Sequence, residues 1–376
     1  MSAVVIRKVS TKQEMNDFVK FPETLYAGCT EYVPDMETEV RETFDPNKNA
    51  GLEFSTIQSF VAYKDGIVVG RIAGIINRRA NETWKTKNVR FGFFDFIDDQ
   101  EVSSALLDTV VKWGKEQGME QIIGPMGITD FDKEGMLVED FDKISSISTY
   151  YNYAYYPQHM EKLGYEKEVD WVQIRVAVPE QTPPRYVRVS KLAKDMLGLH
   201  VRILTDKEIK NGYGRKIFNL LNEAYSPLFG FSALSPKQID ACVKKYITVV
   251  DKKLMPVIEN EKGELIGTAV TMSSISNAMR KSKGRLFPLG WFHLLRAVKW
   301  KREDTVEMLL IAVRPDCQGM GVNAIFFDHL IPVYNQYKFK WAETGPQLED
   351  NVRELSQWKV LNPTFVKRRR CYKKKI

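Results

Sequence analysis

Glu307-Met-Leu-Leu-Ile-Ala-Val313-Arg-Pro-Asp-Cys-Gln318-Gly-Met-Gly321-Val-Asn-Ala-Ile-Phe-Phe-Asp-His329 places three kinds of segment in order. Met308 to Val313 is a continuous apolar run, as a strand buried on both faces requires. Arg314-Pro315-Asp316 ends it, and Gln318-Gly319-Met320-Gly321-Val322-Asn323 leads into a helix whose apolar residues start at Ala324. Gly319 and Gly321 permit positive φ and close approach. The free N–H groups of a first helical turn, together with the helix dipole, favour an anion such as phosphate at this place.

Working outward, the same order occurs twice. Ser59 to Ile76 reads as two strands joined at Lys64-Asp65-Gly66, and Asp-Gly between apolar runs predicts a hairpin. Met255 to Thr271 has the same form, with its turn at Lys262-Gly263. Asn88 to Phe96 is a β-rich run, Asp98 opens a helix to about Gln117, and Glu120 to Ile123 is a strand before Gly124-Pro125. In the second half Glu307 to Val313 is the strand, Gly321 to about Gln336 the helix, and Phe339 to Ala342 the next strand before Gly345-Pro346. The offset of about 220 residues indicates a duplicated unit. The expected fold class is α/β (α+β), with two tandem domains, each a mixed central sheet flanked by helices. Residues 179–190, including PEQTPPRYVR, read as a linker between a domain at 1–178 and one at 191–376.

Composition narrows the classes. The net charge is +7, and Lys367 to Lys375 carries seven positive charges, so this tail accounts for the whole excess. The balanced remainder argues against a dedicated nucleic-acid binder. The tail reads as a solvated terminal strand, with docking of an acidic partner or of phosphate groups as the other reading. Cys29, Cys242, Cys317 and Cys371 are scattered and the histidines are isolated, so neither a disulfide framework nor a metal site is expected. No apolar run reaches the ~18 residues of a membrane span. The N-terminus turns charged at Arg7, so a cytoplasmic location is expected. Oligomeric state is left open.

Val313-x-Pro315 followed by Gln318-x-x-Gly321-x-Asn323 resembles the acyl-CoA pyrophosphate loop of GNAT (GCN5-related) N-acetyltransferases. Asn351 in Glu349-Asp350-Asn351 resembles the late asparagine beside the cofactor thiol, and Met160 to Tyr165 resembles the late helix-to-strand segment in the first half. The FGFF at Phe91–Phe94 and the Gly135 to Asp142 segment resemble an uncharacterised bacterial branch of tandem GNAT-like proteins. The resemblance implies that acetyl-CoA or another acyl-CoA is the co-substrate. It would be held by the backbone of Ile311, Ala312 and Val313, by Gln318, Gly319, Met320, Gly321, Val322 and Asn323, and by Asn351. It also implies an N-acyltransferase acting on a small-molecule or peptide amine.

The pattern is departed from at Asn323, where the family has Gly or Ala, and at Trp358, where it commonly has a tyrosine acid. In the first half Asp98-Asp99-Gln100-Glu101 stands in place of the loop, and acidic residues there repel a pyrophosphate.

An amine acyltransferase must deprotonate an ammonium and stabilise an oxyanion. Glu307 is the first candidate for the base and Glu343, after the next strand, the second; a solvent-facing charge at a strand end is the alternative for each. Tyr372 is a weaker candidate acid, and Cys317 reads as packing, since no histidine partner is evident. Phe287 to Trp300 is aromatic, apolar and basic: a core cover, an acceptor-site lid or a membrane-surface helix. Tyr150 to Tyr156 reads as packing or as a groove for a ring-bearing acceptor. Two other functional readings stand beside the enzyme: a non-catalytic acyl-CoA-binding protein of the same fold, and an aminoacyl-tRNA-dependent transferase whose basic tail contacts RNA.

Overall fold

In the computed structural model, which describes residues 3–247, 250–300 and 302–376, both expected hairpins form. Asp65 and Gly66 adopt positive φ of 50° and 78°, the geometry that lets a two-residue turn follow the twist of its strands. Gly263 does the same in the second hairpin, at 74°.

The first copy runs β1 (Val5–Lys8), α1 (Lys12–Leu25), α2 (Glu37–Thr43), β2 (Ser55–Lys64), β3 (Ile67–Asn77), α3 (Arg78–Trp84), β4 (Asn88–Phe96), α4 (Gln100–Glu116) and β5 (Gln121–Gly124). It continues through β6 (Met136–Leu137), α5 (Tyr155–Lys162) and β7 (Glu166–Ala177). The second begins with α6 (Pro184–Leu197), β8 (His200–Arg202), the single turn α7 (Asp206–Glu208), α8 (Gly214–Tyr225) and α9 (Pro236–Cys242). Then come β9 (Val257–Glu259), β10 (Leu265–Ser273), α10 (Ser276–Ser282), α11 (Gly290–Lys299), β11 (Thr305–Val313), α12 (Val322–Gln336) and β12 (Trp341–Thr344). β13 (Gln347–Leu348), α13 (Val352–Gln357) and β14 (Thr364–Lys375) end the chain. Thus β2-β3-β4-α4-β5 corresponds to β9-β10-β11-α12-β12. Strand β12 starts two positions later than the apolar pattern predicts. Phe339 still donates its N–H to Tyr334 in the helix-ending turn, and Lys338 takes a φ of 60° there.

The described residues pack as two units. The first holds residues 1–172, 275–295 and 366–376, the second 173–274 and 296–365. The first unit's sheet has the order β1-β2-β3-β4-β5-β14-β7, with β4 parallel to β5 and β14 antiparallel to it. One face packs against α4, burying Phe91, Phe96, Leu106, Val110 and Tyr372. The second unit's sheet has the order β7-β12-β11-β10-β9-β8 and packs on α12, burying Ile174, Ile258, Val306, Ile325, Phe326 and Leu330. Helix α6 lies on α12, where the Tyr186 and Phe327 rings stack at 4.8 Å.

The basic C-terminal tail is not a solvated edge. Residues 366–375 of β14 lie between β5 and β7 inside the first unit's sheet, and Arg369 is fully buried. Acidic neighbours pair with Arg368, Arg370 and Lys373. Asp170 receives both Arg368 and Arg370, Glu168 receives Lys373, and Glu139 receives Arg368. Tyr372, considered as an acid, is 1% exposed in this core. The Gly135 to Asp142 segment holds the strand in place: Val138 N–H donates to Arg368 O, and the Asp140 carboxylate accepts Lys367 N–H.

Candidate functional site

In the second unit, β11 and β12 run parallel and in register from Thr305–Trp341 to Met308–Thr344, then part. Gly345 N–H still reaches Met308 O at 3.0 Å, and Gln173 Nε2 donates to Thr344 O at 3.1 Å. Residues 310–313 of β11 continue with β10, after a bulge at the Val270/Thr271 step that leaves Leu309 unmatched. Main-chain groups on this stretch are covered by side chains. Ile311 N–H donates to the Tyr225 hydroxyl at 3.3 Å, and that hydroxyl donates to Ile311 O at 3.0 Å. Gln318 Nε2 donates to Val313 O at 3.1 Å, the link that ties the turn back to the strand. Ala312 is buried in between.

The turn behaves as its glycines require. Gly319 has φ of 80° with open space where a Cβ would stand. Gly321 has φ of 83° and sits at the N-cap of α12, where an added Cβ would lie 2.7 Å from Val189 Cγ1 of α6. The first glycine thus serves conformation alone, and the second also lets α6 approach. Among the described residues no side chain caps the α12 N-terminus, so its first amides and the dipole point at whatever the turn holds. Met320 is half exposed over the turn and Val322 is buried under it. At α4, the equivalent place in the first unit, Asp99 accepts Glu101 N–H while Lys64 bridges Asp99 and Glu101. Its own carboxylate fills that helix end.

The fit to an acyl-CoA can be tested at Asn323. Its Nδ2 donates to Gln357 Oε1 at 2.8 Å, so the side chain turns toward α13 rather than over the glycines. Asn323 Oδ1 is buried with no hydrogen-bond partner among the described residues, while the Gln357 amide also acts on Glu354. A spare acceptor beside an uncapped helix start suits a ligand carrying both an amide N–H and phosphate groups. Asn351, in contrast, uses its side chain to cap α13, accepting Glu354 N–H at 3.3 Å. Trp358 is packed into the α12 core edge-on to Phe327, at 5.2 Å. Cys317 is buried beside Arg314, and burial pushes its thiol up, as suits a packing residue.

Glu307 and Glu343 are brought together. They are register partners on the parallel strands β11 and β12, and Arg175 on β7 is the register partner of Glu343. Val306, Ala342 and Val176, one position away, face the α12 core, so strand alternation puts the two carboxylates and the guanidinium on the other face. Both glutamates are nearly buried, at 6% and 9% exposed, which excludes the solvent-facing alternative. Arg175 Nη1 is 3.9 Å from Glu343 Oε2 and stacks over Trp341.

Two residues of this neighbourhood were not singled out as site residues by sequence. Tyr225 ends α8 on the parted edge of β11. Glu354 stands on α13 within range to act on it: burial pushes the Tyr225 hydroxyl up and the Glu354 charge adds to the effect. Burial pushes the Glu354 carboxyl up to about 7, and Gln347 Nε2 donates to its Oε1 at 3.1 Å. The Asn351-x-x-Glu354 spacing was a visible signal, as a helix start with its acidic third residue.

The first unit has a cleft of about 310 Å³, lined among others by Tyr26, Tyr32, Arg71, Arg280 and Lys283. At its floor the Arg71–Asp95 pair is closed by Tyr26 donating to Asp95 at 2.8 Å. Tyr151, Tyr153 and Tyr156 pack around or bond to Tyr26, so these members of the tyrosine-rich segment support the cleft from behind.

No family model matches the chain. It is 26% identical to Protein YghO of Escherichia coli, over 99% of this chain and 95% of that one. It is 23% identical to the bacterial ceramide synthase of Caulobacter vibrioides, over 98% and 96%. Among solved structures it resembles a tandem GNAT protein from the clavulanic acid biosynthesis pathway, with a TM-score of 0.57 and 10% identity over 99% of this chain and 98% of that one. A GCN5-related N-acetyltransferase from Sphaerobacter thermophilus gives a TM-score of 0.51, with 11% identity over 99% and 95%.

Proposed function

We propose that this chain, whose fold is the GCN5-related N-acetyltransferase fold in two tandem copies, transfers an acyl group from acyl-CoA to an amine, with the donor held by the second unit. One observation carries the reading: an uncapped Gly-x-Gly helix start follows a strand that has parted from its parallel neighbour, and this occurs in one copy while the other caps its helix with Asp99. The amides at Gly319 to Asn323 receive the pyrophosphate, with Gln318 fixing the turn. The main chain of Ile311, Ala312 and Val313 pairs with the pantetheine amides once the Tyr225 hydroxyl moves aside, and Asn351 supports α13 beside the thiol.

In the reaction the amine nitrogen bonds to the acyl carbon, the carbon–sulfur bond breaks, the nitrogen gives up one proton and the departing sulfur gains one. Glu307 accepts the proton from the amine. Glu343 beside it and Arg175 beyond hold the charge of that row as the proton arrives. Tyr225, kept protonated by burial, is placed to donate toward the parted strands.

Acetyl-CoA is the smallest donor that suits this site. The ceramide of the Caulobacter relative's name is an amide of a fatty acid with a long-chain amino alcohol, which extends the reading to longer acyl-CoAs and lipid-like amines. Free-thiol release should be followed with acetyl-CoA and palmitoyl-CoA against a panel of amines that includes a long-chain amino alcohol. Amine-dependent release abolished by Glu307→Gln supports the reading. Tight donor binding with no release from any amine would instead make the chain a non-catalytic acyl-CoA-binding protein.

A further inference from the structure

Between Glu264 and Glu303 the sequence contains eight Lys and Arg residues and no Asp or Glu. Its central part, the turn before α11 and the first turn of that helix, exposes large apolar side chains side by side. Phe287 is 78% exposed, Leu289 64%, Trp291 46%, Phe292 39% and Leu286 38%. Exposed apolar residues occurring singly need no explanation, but five within seven positions form a patch. Folding has left this patch outward while anchoring its root. Arg285 is paired with Glu37 and Glu23 in the same unit, Gly284 O accepts Glu37 N–H, and Ser276 Oγ donates to Ser145 O. The start of the segment is therefore tied to the first unit.

Charge identifies what it meets. Lys281 and Lys283 precede the patch and Arg296 and Lys299 follow it on α11, and all four are exposed. Successive helical positions place Trp291, Phe292, Arg296 and Lys299 on one half of the α11 surface. Glu23 and Glu37 at the root are taken up by Arg285 and Lys283, and the aromatic and aliphatic tips set among the remaining cations are complementary to an anionic lipid surface: the rings enter the headgroup boundary and the cations meet the phosphates. No described helix is long and apolar enough to cross a membrane, so the contact is a surface one.

We propose that residues 281–299 dock the protein on anionic lipid bilayers, with Leu286, Phe287, Leu289 and Trp291 inserted and Lys281, Arg296 and Lys299 on the phosphates. This contact is independent of the acyl-transfer reading and needs neither acyl-CoA nor an amine.

The full chain should be floated with vesicles of phosphatidylcholine alone and with vesicles containing about a third phosphatidylglycerol, at low and high salt. Binding at least ~10-fold tighter to the anionic vesicles, weakened by salt and accompanied by a blue shift of tryptophan emission, is expected. The triple variant Phe287→Ser/Leu289→Ser/Trp291→Ser should lose about 10-fold or more of this binding, as should Lys281→Glu/Arg296→Glu/Lys299→Glu. Both variants alter exposed side chains, and an unchanged melting temperature checks that they fold. Soluble thiol release should persist in the serine variant, which separates loss of docking from loss of catalysis. Absence of vesicle binding, or binding indifferent to both variants, overturns the proposal. So does a wild-type oligomer that the serine variant converts to monomer without any vesicle binding, because the patch would then be covered by a second copy.

Discussion

Three carboxylates near the parted strands differ in what surrounds them, and this assigns them different behaviour. Glu307 stands on β11 next to Glu343, and Arg175 lies on the far side of Glu343 only. Glu307→Gln is expected to lower kcat by roughly 10²–10⁴-fold with the donor KM little changed, while Glu343→Gln, one strand further away, has the smaller effect. Equal losses from both would contradict the division of roles. Glu354 gives a pH signature. Burial raises its folded pKa to about 7, above the ordinary glutamate value. The folded state therefore binds the extra proton between those values, and the stability this gives is full below the ordinary value and is lost as pH rises through about 7. The wild type should melt at a lower temperature at pH 8 than at pH 5, and Glu354→Gln should reduce that difference. An undiminished difference would place the titration elsewhere. Neither Tyr225 nor Glu354 could be assigned to the site from sequence, because only folding brings Tyr225 to β11 and Glu354 near Tyr225.

The strand, turn and helix at β11 and α12 were legible in sequence, because an apolar run, glycine punctuation and helical spacing are all local signals. The competition at the strand edge was not. With Tyr225 bonded to both main-chain groups of Ile311, a donor must displace a hydroxyl to pair there. Tyr225→Phe removes the competitor, and a net hydrogen bond of about 1 kcal/mol corresponds to roughly five-fold tighter acyl-CoA binding. Unchanged or weaker affinity would show that the hydroxyl contributes to the bound state instead. At α12 the two glycines separate by cause. Gly321→Ala combines left-handed strain with a 2.7 Å approach to Val189, and should cost about 1–3 kcal/mol of stability, read from chemical denaturation. Gly319→Ala meets open space and should cost only the strain, about 1 kcal/mol.

Duplication was readable along the whole chain, and the fold has the two copies it implied. The composition of each packed unit was not readable. Seven positive charges at the C-terminus look like a solvated strand until Arg368, Arg370 and Lys373 are seen to pair with Asp170, Glu168 and Glu139, all far away in sequence. The first unit is completed by residues 366–376 and the second begins at Gln173. A fragment of residues 1–178 should consequently fail to fold, its sheet lacking the strand between β5 and β7, and the full chain without residues 366–376 should lose the first unit rather than merely an RNA contact. A cooperative melt from the short fragment would contradict this. The central claim, that the second unit holds an acyl-CoA on the turn before α12, is tested most directly by calorimetric titration of acetyl-CoA and palmitoyl-CoA into the full chain and into Met320→Glu. Met320 is exposed and has no left-handed strain, so the substitution brings a negative charge to the turn without disturbing the core. Saturable one-site binding by the wild type, weakened about ten-fold or more in the variant by the opposing charge, is the expected result. No binding to the wild type, or equal affinity in the variant, would contradict it.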